Sequence, residues 1–126
     1  MKRFLSATLL SLSLFSLPAL AAESVSVETL AAQISSGKAP LIIDVRTEDD
    51  FLAGRIPGAR LIPHTEMSNY VDSLSAHKDE PILLYCRTGN RAGQAAAVLE
   101  EAGFSKVQVL EGSFPAWEAA GQKVQK

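Results

Sequence analysis

The chain has no second cysteine. Cys86 stands alone among its 126 residues, so no internal disulfide can brace the fold and no C-x-x-C redox pair exists. Stability must come from packing, and any group that Cys86 takes up has to leave on an acceptor from outside the chain. Histidine is nearly as scarce. His64 and His77 lie far from each other and from a useful cysteine spacing, so neither a metal nor a cofactor is expected. With Lys2 and Arg3 of the leader set aside, ten Lys and Arg face fourteen Asp and Glu, a net charge of −4, and no basic face is left for nucleic acid. The longest apolar stretch, residues 4–17, contains serines and is shorter than the roughly 20 residues that a membrane span requires. Past it there is no internal repeat, low-complexity tract or linker.

That stretch follows Met1-Lys2-Arg3 and runs into Pro18 and Ala19-Leu20-Ala21. A charged n-region, an apolar h-region and a small-residue cleavage site come in the order of a secretory signal peptide. The sequence therefore predicts a leader of residues 1–21, cleaved after Ala21, and one domain of residues 22–126. No cysteine follows the apolar run, so no lipid is expected there, nor any stable membrane association once the leader is gone. Export of this Gram-negative type makes the periplasm the expected destination. About 100 residues suffice for one core but not for two, and a monomer is expected.

Beyond the leader, helical and strand patterns alternate. Val27, Leu30, Ala31 and Ile34 recur at helical spacing behind Ser26 as N-cap, and Gly37 stops that helix. Leu41-Ile42-Ile43-Asp44-Val45 reads as a strand buried on both faces. Thr47 opens a short helix that ends at Gly54, with Glu48, Asp49 and Asp50 serving its N-terminus and not a cation. A turn at residues 56–58 leads to a short strand at 60–62, and Thr65 is expected to cap a helix carrying Met67, Tyr70, Val71 and Leu74 inward. A strand at 81–85 precedes a helix from about Arg91 to Ala102, whose small residues Gly93, Ala95, Ala96 and Ala97 would let it lie close on the sheet. The last strand is residues 106–110, and Phe114 and Trp117 begin a helix that closes the core before Gly121. Strand-then-helix order implies parallel strands and right-handed crossovers, hence a single α/β domain with a central parallel sheet and helices on both faces.

In such sheets chemistry gathers at the carboxyl ends of strands, and Cys86 falls at one. The apolar run 81–85 gives way to Arg87-Thr88-Gly89-Asn90-Arg91 and then to an alanine-rich stretch: strand, tight basic turn, helix start. Backbone N–H groups can curl around whatever the sulfur meets, and the helix directs its positive end there. A core position needs no cations beside it, whereas cations and a helix N-terminus favour thiolate over thiol. The sequence thus predicts a nucleophile at the mouth of the sheet, awaiting an anionic or electrophilic substrate steered by Arg87 and Arg91.

Four segments carry a resemblance: residues 41–46 (LIIDVR), Phe51 with 54–59 (GRIPGA), 85–91 (YCRTGNR) and 110–117 (LEGSFPAW). In order and spacing they resemble the successive motifs of the rhodanese domain, over nearly all of the chain past the leader. With that leader the chain is similar to the small exported single-domain sulfurtransferases of the phage-shock type. The resemblance implies thiosulfate sulfurtransferase chemistry, with thiosulfate as donor and cyanide or a thiol as acceptor. Cys86 matches the position that becomes the persulfide, and Arg87, Thr88, Gly89, Asn90 and Arg91 match the substrate-binding loop. Asp44 and Arg46 match the strand end that braces the site. Two positions depart from the pattern. Arg55 stands where a histidine is common, and Ser113 replaces the second glycine of a frequent Gly-Gly pair, which bears on local backbone conformation.

The residues suit that reaction on their own terms. Thiosulfate is a dianion with an electrophilic outer sulfur and sulfite as a good leaving group, so the attacking thiolate needs cationic steering and no proton donor. Backbone N–H groups of residues 88–91 would hold the outer sulfur of the persulfide, and double displacement implies ping-pong kinetics. Two alternatives stand beside this reading. Cysteine-dependent phosphatases and arsenate reductases also end an anion loop in arginine, but four residues separate Cys86 from Arg91, one fewer than the phosphatase pattern, which must wrap three oxygens. Rhodanese-like domains also serve as binding or signalling modules, which usually lack the cysteine kept here, or as persulfide carriers. His64 could share the sheet edge with Cys86, yet a thiolate needs no base, and it is read as solvated.

Overall fold

The computed structural model describes residues 22–126; the expected leader of residues 1–21 lies outside the described residues. Strands Glu23–Val25 (β1), Leu41–Asp44 (β2), Arg60–Leu61 (β3), Ile82–Tyr85 (β4) and Val107–Leu110 (β5) form one sheet in the order β1-β5-β4-β2-β3. All its pairings are parallel. Helices Val27–Ser35 (α1), Glu48–Ala53 (α2), Met67–Tyr70 (α3), Asn90–Glu101 (α4) and Ser113–Ala119 (α5) cover it.

Period-two alternation in β4 sorts the core into two halves. Ile82, Leu84 and Cys86 pack with Met67, Leu74 and the α4 residues Ala92, Ala95, Ala96 and Leu99. Leu83 and Tyr85 face the other way, onto Leu30, Phe114 and Trp117. All four β4 residues are buried, as expected of a strand with helices on both faces. Truncating Leu99 or Leu30, each fully buried, to alanine would cost about 2–5 kcal/mol by lost contact and cavity.

Local signals set most boundaries. Ser26 caps α1 by accepting the Thr29 N–H at 3.1 Å, and Thr47 caps α2 by accepting that of Asp50 at 3.2 Å. The sheet-facing stripe of α4 is Ala92, Ala95, Ala96 and Leu99, spaced i, i+3, i+4, i+7, while Gly93 and Ala97, expected on the sheet, are exposed. Thr65 does not cap a helix. It lies inside a 3-10 turn, His64–Glu66, with no side-chain cap bond. The helix that follows stops at Tyr70, which is 37% exposed. Turns then bring Leu74 back to the core, so the inward stripe loses Tyr70. The edge strand β1 is a further difference: two of its three residues are exposed, and pairing with Gln108, Val109 and Leu110 of β5 defines it.

The chain leaves β2 for β3 on one side and, later, leaves β4 for β5 on the other. The crevice above the adjacent carboxyl ends of β2 and β4 is therefore a topological switch point, where open α/β sheets place ligands.

Candidate active site

Asp44 ends β2 in register with Tyr85, the last residue of β4, and the Val45 N–H continues the ladder to the Tyr85 carbonyl at 3.0 Å. Arg46 folds back over this corner. Its Nε donates to Asp44 Oδ1 at 3.0 Å, its Nη2 to Asp44 Oδ2 at 2.7 Å and to the Gly54 carbonyl at 2.6 Å. The guanidinium also lies 4.1 Å from the Phe114 ring centroid. Tyr85 completes the network, donating its hydroxyl to Asp44 Oδ2 at 2.8 Å and accepting the Ile56 N–H at 3.1 Å. Asp44 is fully buried and Arg46 is 5% exposed, so the two form a buried ion pair that ties the end of β2 to Gly54. Burial alone would lower the Arg46 pKa, but the hydrogen bond and charge of Asp44 outweigh it and hold the guanidinium protonated. Burial first, then the charge of Asp44, pushes the Tyr85 phenol upward, keeping it a donor.

One residue beyond this corner, Cys86 turns its sulfur to the α4 side. The Gly89 N–H donates to Cys86 Sγ at 2.9 Å, and Gly89 then turns at φ +90°, open to glycine at little cost, into the first turn of α4. The sulfur thus meets a main-chain donor at the positive end of a twelve-residue helix. Among the described residues, Gly89 is the loop residue whose N–H reaches it. Thr88, Asn90 and Arg91 are exposed.

Access differs from the sequence expectation. Cys86 has no exposed surface, with the Gly89 N–H and the Ser113 hydroxyl among its neighbours. Arg87 is not turned to the sulfur either: its Nη2 pairs with Asp50 Oδ1 at 2.9 Å. The reason is geometric. Asp50 is fixed in the first turn of α2 by the Thr47 hydroxyl at 3.0 Å, directly across the crevice from the loop. Beside this pair lies a cleft of about 460 Å³ lined by Arg46, Asp50, Gly54, Arg87, Phe114 and Lys126. His64 makes no hydrogen bond to Cys86, and Trp117 is buried in the core.

Three participants escaped the sequence reading. Tyr85 looked like one more apolar strand residue, and Asp50 like a helix-terminal acid. Ser113 looked like a backbone departure, yet its hydroxyl accepts the Cys86 N–H at 3.3 Å and lies 3.8 Å from Sγ. Serine in place of an expected glycine was the available signal.

Comparison with known proteins bears on the fold as a whole. The family model described as rhodanese-like domain matches residues 26–120. The thiosulfate sulfurtransferase GlpE of Pseudoalteromonas translucida (strain TAC 125) is 33% identical over 87 residues, 68% of this chain and 81% of that protein. A rhodanese-related protein of Thermoplasma volcanium superposes with a TM-score of 0.72 at 26% identity, over 82% of this chain and 97% of that one. A Rhodopseudomonas palustris CGA009 protein of unknown function, described as a possible tyrosine phosphatase, gives 0.75 at 25% identity, over 82% and 85%.

Proposed function

The chain belongs to the rhodanese-like family, and from that premise we propose that it is a sulfurtransferase working through a Cys86 persulfide, with thiosulfate as donor and cyanide or a small thiol as acceptor. The Cys86 thiolate attacks the outer sulfur of thiosulfate. A Cys86 S–S bond forms, the S–S bond of thiosulfate breaks, and the electron pair leaves with sulfite. The acceptor then takes the outer sulfur, as thiocyanate when it is cyanide, and the thiolate returns. No proton donor and no cofactor are needed. Export fits the leader: after loss of residues 1–21 the domain acts in the periplasm, as a single-domain enzyme of the phage-shock type.

The observation that carries this reading is the Gly89 N–H set 2.9 Å from Cys86 Sγ at the start of α4, a donor ready for a sulfur anion. The donor gains access past the cover over Cys86, attracted by the loop guanidiniums of Arg87, which lines the cleft, and Arg91. A short ring of this kind suits a terminal sulfur better than a phosphoryl group. The test is steady-state thiocyanate formation with thiosulfate and cyanide both varied, alongside p-nitrophenyl phosphate. Parallel double-reciprocal lines and no phosphate release are expected. Phosphate release without thiocyanate formation sinks the proposal.

A further inference from the structure

We propose that the Ser113 hydroxyl is a hydrogen-bond donor to the Cys86 sulfur and speeds the return of the thiolate when the acceptor attacks the persulfide. The inference rests on the sulfurtransferase reading above and adds to it a residue from the opposite side of the site.

Backbone geometry gives the first argument. Among the described residues Ser113 is the non-glycine residue with positive φ, +53°, directly after Gly112 at +73°. A side chain in this left-handed region is strained, and glycine would adopt it freely. The bend therefore does not call for serine, and the hydroxyl is what serine adds.

Hydrogen-bond accounting gives the second. Ser113 has no exposed surface, so its hydroxyl has to find a partner among its buried neighbours. Its oxygen accepts the Cys86 N–H at 3.3 Å, which leaves its proton to be placed. Among the described residues the acceptor within reach is Cys86 Sγ at 3.8 Å. That is a long contact for a neutral thiol, and contacts of this kind shorten when the acceptor is an anion. The position of the hydroxyl is also fixed, since the Phe114 N–H donates to the Cys86 carbonyl at 3.0 Å and ties the first turn of α5 to the end of β4.

Gly89 and Ser113 thus approach one sulfur from two sides, the loop ahead of α4 and the first residue of α5. In the first half-reaction Sγ is the nucleophile, and a donor to it stabilises the starting thiolate. In the second it is the leaving group: the acceptor bonds to the outer sulfur, the persulfide S–S bond breaks, and the electron pair returns to Sγ, where the Ser113 hydroxyl meets the developing charge and keeps its own proton. Help is therefore expected in discharge and not in donor binding.

The experiment loads the protein with thiosulfate, removes excess donor, and mixes the persulfide with cyanide in a stopped-flow apparatus, for the parent, Ser113→Gly and Ser113→Ala. Ser113→Gly should load fully and melt at the same or a higher temperature. Its discharge should be about tenfold slower, the loss of one hydrogen bond to a charged group, with the KM for thiosulfate unchanged. Ser113→Ala keeps the strained backbone and should show the same slow discharge. Parental discharge rates in a folded variant of either kind would overturn the proposal for Ser113 alone. A parent that takes up no sulfur would overturn the sulfurtransferase reading, and this inference with it.

Discussion

Arg46 keeps a full positive charge at 5% exposure, which is tolerable because Asp44 meets it through three side-chain hydrogen bonds. Removing one partner of such a pair leaves the other charge buried and alone. Asp44→Ala should therefore lose about 3–5 kcal/mol of stability, read as a shifted urea midpoint, and a loss near zero would mean that the pair does not brace the corner. Cys86 drew notice in the sequence because an apolar run there gives way to a basic turn, whereas Asp44 and Arg46 were singled out only through the rhodanese resemblance. Tyr85 was not: its identity suits a buried strand, and its hydroxyl partners, Asp44 and the Ile56 N–H, lie far away in sequence. Its phenol is pushed up first by burial and then by the charge of Asp44. A raised folded value means that the stability it contributes is complete below the ordinary tyrosine value of about 10 and is lost as pH climbs through the folded one. Tyr85→Phe should be about 1–2 kcal/mol less stable than the parent near neutral pH, and the gap should narrow above about pH 10. A gap constant with pH would contradict this account.

Between elements, α2 and the Cys86 loop are joined across the crevice by Asp50 and Arg87. Burial would raise the Asp50 pKa, but the Thr47 hydrogen bond and the charges of Arg87 and Arg46 hold it below the usual carboxylate value. A depressed value leaves the ion pair intact above the ordinary aspartate pKa of about 4 and lost only as pH falls through the lower folded one. Under the proposed function, an anionic donor competes with Asp50 for Arg87 at assay pH. Asp50→Asn should lower the KM for thiosulfate by about two- to fivefold at low ionic strength, the scale of an exposed pair, and a raised KM would show that Asp50 helps the donor. The elements that the sequence predicts carry their own signal: the apolar strands β2, β4 and β5 with the short β3, the capped helices α1 and α2, and the helices α4 and α5. The edge strand β1 has one buried residue in three and owes its existence to β5. The stretch from His64 to His77 has helical spacing, but it is cut into one four-residue helix and two 3-10 turns.

For the whole molecule, the order of alternating strands and helices predicts the parallel sheet, and the strand order β1-β5-β4-β2-β3 places the switch point beside Cys86. What pattern could not give was closure. Whether a loop lies open or folds over a sulfur depends on one φ angle at Gly89, on Ser113 and on an ion pair from another element, none of which has a periodicity. Under the proposed function, a fully covered Cys86 requires that the donor gain access to the sulfur before transfer. The most direct measurement is the intact mass of the purified protein after exposure to thiosulfate, with released sulfite counted in parallel. One added sulfur atom per chain, one sulfite per sulfur, and no gain in Cys86→Ser are predicted; an unchanged mass in the folded parent, or equal gain in the serine variant, would contradict the account.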